Sequence, residues 1–137
     1  MHDVWRVRRT CTLVAHLAEF VRREHGCEGN LALYFDDQMR GRERPQRIGN
    51  HLPDLYAEDV PRTFVVIGEA KTHLDLTTPR SHRQLRTFVR HLSLYEAAFF
   101  YLAAPTLAKP AAMTLVRELG CLHQSVKIQI LTTDIGY

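Results

Sequence analysis

The segment Thr63-Phe-Val-Val-Ile67 does most to narrow the folds open to this chain. Its residues are β-branched or aromatic and apolar on both faces, which predicts a central strand covered from both sides. Polarity then returns abruptly in Gly68-Glu-Ala-Lys71. Glu69 and Lys71 are two residues apart, so on a strand both side chains leave the same face, the one begun by Thr63, Val65 and Ile67. A carboxylate and an ammonium thus stand at the end of a buried strand.

The neighbouring segments supply the rest of an α/β layer. Leu13, Val14, Leu17, Phe20 and Val21 fall at helical spacing and predict a helix from about Cys11 to His25, with Gly26 as its stop. Leu31–Phe35 reads as a strand. The polar stretch from Asp36 to Asn50 reads as a loop broken by Gly41, Pro45 and Gly49. His51–Ala57 is a short strand or strand entrance around Pro53-Asp54, followed by a turn at Glu58–Pro61. Thr72–Arg80 is a connection, and Ser81 is the expected N-cap of a helix from His82 to about Tyr95 with Leu85, Phe88, Val89 and Leu92 on its apolar face. Ala97–Leu102 is a strand, Ala111–Leu119 a helix stopped by Gly120, and Val126–Leu131 a last strand. This order predicts a sheet flanked by helices, with the third and fourth strands parallel neighbours joined by a helical crossover.

Length and composition exclude several classes. A chain of 137 residues, 45% hydrophobic, suits one domain spanning 1–137 with a core of ordinary size. Cys11, Cys27 and Cys121 are far apart and form no CxxC pair, which argues against a zinc ribbon or a disulfide scaffold and for reduced thiols in an intracellular, cytoplasmic protein. The first residues lack the pattern of a signal peptide, and no apolar run is long enough for a bilayer, so no membrane partner is expected. No GxSxG, P-loop or dinucleotide fingerprint occurs, and the histidines show no metal-ligand spacing with the cysteines.

Net charge is only +3, but 15 of the 18 basic residues are arginine and they cluster. Arg40, Arg42, Arg44 and Arg47 crowd the polar stretch, while Arg80, Arg83, Arg86 and Arg90 crowd the second helix with no acid before His91. Guanidinium forks match phosphate oxygens, although a solvated loop and helix face would carry the same residues.

Asp54 lies 15 residues before Glu69, the distance a hairpin spans. Adjacent antiparallel strands would bring the two carboxylates together, where they repel unless a cation sits between them. Mg2+ is the natural candidate, since it binds through a few carboxylates plus water and phosphate. Taken singly, Asp54 also suits a turn after proline, and Glu69 with Lys71 an exposed strand end.

Pro53-Asp54 followed by Glu69-Ala70-Lys71 resembles the signature of the PD-(D/E)xK nuclease superfamily, which includes restriction enzymes, Holliday-junction resolvases and the RecB-like and VRR-NUC nucleases. The resemblance implies a restriction-endonuclease-like αβββαβ core from about Cys11 to Leu102, a mixed central sheet flanked by helices, with an extra C-terminal helix and strand. It implies that Asp54, Glu69 and the Ala70 carbonyl hold Mg2+, with Mn2+ as a substitute, and that Lys71 places the attacking water. Several branches carry a glutamine on the next helix followed four residues later by an aromatic, a spacing that Gln84 and Phe88 match. Some carry a glutamate on the first helix, for which Glu19 is best placed and Glu24 and Glu28 are alternatives. His51 would be at most a peripheral contact.

The expected activity is hydrolysis of DNA phosphodiesters, with Arg83, Arg86 and Arg90 holding the backbone and the Arg40–Arg47 loop clamping it. A homodimer, or a partner protein that supplies specificity, fits so short a chain. The alternatives are a non-catalytic member of the same fold that binds DNA or a partner, and an unrelated α/β interaction domain with an accidental ExK.

Overall fold

The computed structural model describes residues 2–26, 30–35 and 44–134, with side chains described from Thr12 onward. Its elements are α1 (His2–His25), β1 (Leu31–Phe35), β2 (Leu55–Asp59), β3 (Val65–Ala70), α2 (Pro79–Leu92), β4 (Ala98–Pro105), α3 (Lys109–Leu122) and β5 (Val126–Thr133). The strands form one mixed sheet in the order β1-β2-β3-β4-β5. β1, β2 and β3 are antiparallel neighbours, while β3, β4 and β5 run parallel through the α2 and α3 crossovers. This is the expected mixed central sheet flanked by helices, with the extra C-terminal helix and strand.

β3 is the middle strand and is buried along its whole length, as its double apolar face predicts. Its side chains alternate between two cores. Val65 and Ile67 pack with Leu85, Phe88, Val89 and Leu92 of α2 and Leu115 and Leu119 of α3. Val66 and Ala70 pack on the other side with Leu13, Val14, Leu17 and Val21 of α1.

Gly68 faces the second core, and a Cβ there would stand 2.6 Å from Leu17 Cδ2. Leu17 is fully buried and has little room to yield. Gly68→Ala is therefore expected to destabilise the protein by about 1–3 kcal/mol through overpacking. Thermal denaturation checks this, and trimming the obstacle with Leu17→Val should recover part of the loss.

Several boundaries differ from the expectations. α1 begins at His2 rather than near Cys11, because no glycine or proline interrupts the chain before Gly26. β2 extends through Glu58 and Asp59, which were expected in the turn. The turn itself is held by the Asp59 carboxylate, which accepts from the Phe64 N–H at 2.9 Å and from the Thr63 hydroxyl. α2 starts at Pro79, and its N-cap is Thr78 rather than Ser81. Thr78 is extended and its hydroxyl accepts from the Ser81 N–H at 3.2 Å, while Pro79 suits the first turn of a helix. α3 continues through Gly120 to Leu122, since an interior glycine weakens a helix by only about 1 kcal/mol and does not by itself end it.

Of the stretch expected as a loop, residues 36–43 lie outside the described residues. The remainder is anchored: Ile48 and His51 exchange both backbone hydrogen bonds at 2.8 and 3.1 Å around Gly49, whose φ of 60° suits a residue without Cβ. Ile48 is buried in the α2-side core, and the His51 ring lies edge-on to Phe88. No helix among the described residues is long and apolar enough to cross a membrane.

Candidate active site

Leu55 pairs with Gly68 at the end of the β2–β3 ladder, so the next step brings Asp54 opposite Glu69. The two acids close that end reciprocally. The Asp54 N–H donates to Glu69 Oε1 at 2.8 Å, and the Ala70 N–H donates to Asp54 Oδ2 at 2.8 Å. Each carboxylate thus takes a backbone donor from the other's strand, which fixes both at the carboxyl end of β3.

Lys71 extends the sheet one residue further, its N–H donating to the Ala103 carbonyl at 2.9 Å. Its ammonium donates to Gln84 Oε1 at 2.5 Å and lies 3.2 Å from Glu69 Oε2. Gln84 reaches it from the first turns of α2. The structure thus brings Asp54, Glu69, Lys71 and Gln84 together: all four line one cleft of about 390 Å³, with Ala70.

The electrostatics are unbalanced. The Glu69 side chain is 1% exposed. Burial pushes its carboxyl well above the usual carboxylate range, and the Asp54 charge pushes it further, while Lys71 and the Asp54 N–H pull it back only in part. A buried anion with incomplete compensation is a place where added positive charge is favourable. Among the described residues no group of three or more His, Cys, Asp or Glu side chains is arranged to enclose a metal. The donor set fits a hard cation that completes its shell with water and phosphate, rather than one caged by the protein alone.

Four further residues line the cleft: Asp75, Thr78, Arg80 and Ser81. The Asp75 carboxylate accepts from the Thr72 hydroxyl at 2.8 Å, which folds the connection between β3 and α2 back over the site. The Thr78-Pro79 pair carried the signal for a helix starting there, and with it for Arg80 and Ser81 facing the strand end. Asp75 had no such signal, because its position depends on a turn.

Glu19 is not brought to this cleft. It is exposed on α1, which covers the Val66–Ala70 face of the sheet, whereas Glu69 shares its face with Val65 and Ile67. Glu24 is likewise exposed at the other end of the sheet, beside His25 and Phe64, and Glu28 lies outside the described residues. Of the α2 arginines only Arg80 lines the cleft. Arg83, Arg86 and Arg90 are exposed, because the side of α2 toward the sheet is taken by Leu85, Phe88, Val89 and Leu92. Arg44 and Arg47 line a separate cavity over β1 and β2, and Arg40 and Arg42 lie outside the described residues.

No protein-family model matches the chain, and no curated protein matches it. One solved structure does. SfsA from Pyrococcus furiosus, determined in complex with Ca2+, aligns with a TM-score of 0.52 at 14% identity, over 88% of this chain and 57% of that chain. At this identity the likeness to SfsA shows the fold alone. The chain spans 57% of the length of SfsA.

Proposed function

We propose that this protein is a metal-dependent nuclease that hydrolyses DNA phosphodiester bonds. The observation that carries the reading is the reciprocal pairing of Asp54 and Glu69, with Lys71 3.2 Å from the buried carboxylate, in one cleft at the end of the central strand. The PD-(D/E)xK resemblance and the Ca2+ bound by the similarly folded SfsA both support a divalent cation here.

Asp54 and Glu69 would hold Mg2+ through their carboxylates, with the Ala70 carbonyl as a further donor. The bound cation, or Mn2+ in its place, supplies Lewis acidity that polarises a phosphate oxygen and lowers the pKa of a water. Lys71 orients that water and offsets the charge that builds on the phosphorus. Gln84 holds the Lys71 ammonium toward the cleft. Arg80, beside the amino end of α2, binds a phosphate oxygen next to the reacting one. The other arginines contribute backbone contacts that position the strand without reading its bases.

The test is cleavage of supercoiled, linear, single-stranded and branched DNA with Mg2+ or Mn2+, beside Lys71→Ala. Wild-type protein is expected to cut at least one substrate only when the cation is present. Lys71→Ala is expected to lower the rate on the order of 10²–10³-fold. Undiminished cleavage by the folded variant contradicts the assignment, and binding without cleavage in every condition supports a non-catalytic member of this fold.

A further inference from the structure

A second cavity, of about 520 Å³, opens on the β1–β2 part of the sheet. Its floor is aromatic: Tyr34 and Tyr56 are cross-strand partners and therefore share a face. Its wall comes from the end of α2, where His91 and Tyr95 stand with ring centroids 5.4 Å apart. Its rim carries Arg44 and Arg47, on the segment that the buried Ile48 anchors in the α2-side core. Glu58 is the acid in the lining, and its charge is offset by Arg62 at 2.5 Å, while the Tyr56 hydroxyl also donates to it at 3.3 Å.

Four rings in the floor and wall and guanidinium groups at the rim match the two parts of a nucleotide. The flat base needs π faces, and its phosphate needs fork donors. A base inside a duplex offers no free face, so the match is to an unpaired one. The cavity is separate from the Asp54–Glu69 cleft but lies on the same side of the sheet, since Tyr56 is the cross-strand partner of Ile67, which shares its face with Glu69. Asp54 and Tyr56 are two residues apart on one extended segment, roughly 7 Å, which is the reach of one or two nucleotides of a strand.

We infer that this cavity is a base-stacking subsite, and that the preferred DNA substrate carries a single-stranded segment threaded from the Asp54–Glu69 cleft past Tyr56 to Tyr95. This rests on the nuclease reading for its purpose, but its test does not.

Binding of labelled single-stranded and duplex DNA of one sequence is measured by fluorescence polarisation in EDTA, where no cleavage occurs. The single strand is expected to bind more tightly at equal salt. Tyr95→Ala is expected to weaken single-strand binding roughly 5- to 100-fold and to leave duplex binding unchanged, while Tyr95→Phe retains both. Equal loss for both DNA forms, or no loss, overturns the subsite. So does tight binding of free dAMP that an oligonucleotide does not displace, which would mark a pocket for a soluble nucleotide. Independently of any variant, photocrosslinking of an iododeoxyuridine strand to wild-type protein should place adducts on Tyr34, Tyr56, His91 or Tyr95, and adducts only elsewhere overturn it. A protein that passes these tests and cuts nothing keeps the subsite and loses the catalytic reading. One that cuts duplexes and fails them loses the subsite alone.

Discussion

Glu69→Gln is expected to abolish cleavage and, in the absence of divalent cation, to make the protein more stable at neutral pH. The two effects have one cause. The Glu69 carboxylate is fully buried, and burial and the nearby Asp54 charge both favour its protonated form. Because the folded pKa is raised, the folded protein holds this proton more tightly than the unfolded chain. Stability from the protonated form is complete below the ordinary carboxylate range and is lost as pH rises through the raised folded value. At neutral pH the wild type carries that cost, and the neutral amide does not. The amide can still accept from the Asp54 N–H, so the bond that closes the strand end survives. The expected gain is on the order of 1 kcal/mol, or a few degrees in melting temperature, with cleavage lower by at least about 10²–10³-fold. Thermal scans in EDTA from acid to neutral pH check it. The wild-type stability should fall relative to the variant as pH rises, and a variant less stable throughout contradicts the reading of Glu69 as an incompletely compensated anion.

The core of the site is legible in the sequence because strands impose a period of two and hairpins a short separation. Glu69 and Lys71 must share a face, and a gap of 15 residues lets Asp54 meet Glu69 across the β2–β3 turn. The apolar run of β3 announced a strand with neighbours on both sides, and it is the middle one. Glu19 was misplaced for a specific reason. Helical periodicity shows which residues leave the apolar stripe of α1, but not which face of the sheet that stripe covers. α1 takes the Gly68 side, across the sheet from the Glu69 side chain. The arginine cluster of α2 is likewise a property of sequence: of its members only Arg80, in the first turn, reaches the cleft, while Arg83, Arg86 and Arg90 stand exposed on the outer side of the helix. The Tyr34–Tyr56–Tyr95 cavity depends on contacts between distant segments, which no local pattern records, and Asp75 is placed by a short turn closed on Thr72 that carried no sequence signal.

Divalent cation is expected to stabilise the wild type strongly and Asp54→Asn hardly at all. A ligand that binds only the folded state stabilises by mass action, about 2.7 kcal/mol at a hundred times its dissociation constant. For a chain of this size that is a rise of roughly 5–15 °C in melting temperature. Asp54→Asn preserves shape and an oxygen able to accept from the Ala70 N–H, so the strand end should remain intact. What it removes is one of the carboxylate charges that make the cleft attractive to a cation. Differential scanning with Mg2+ or Ca2+, against the same ionic strength of a monovalent salt, separates specific binding from screening. Equal shifts in wild type and variant would place the cation elsewhere on the protein.

The most direct measurement is diffraction from crystals of the wild-type protein soaked in Mn2+, with data collected at the manganese absorption edge. The expected result is an anomalous peak between the Asp54 and Glu69 carboxylates, within about 2–2.5 Å of an oxygen from each. A fully occupied manganese site elsewhere, with no peak between those two side chains, would contradict the assignment of this cleft as a metal-dependent nuclease centre.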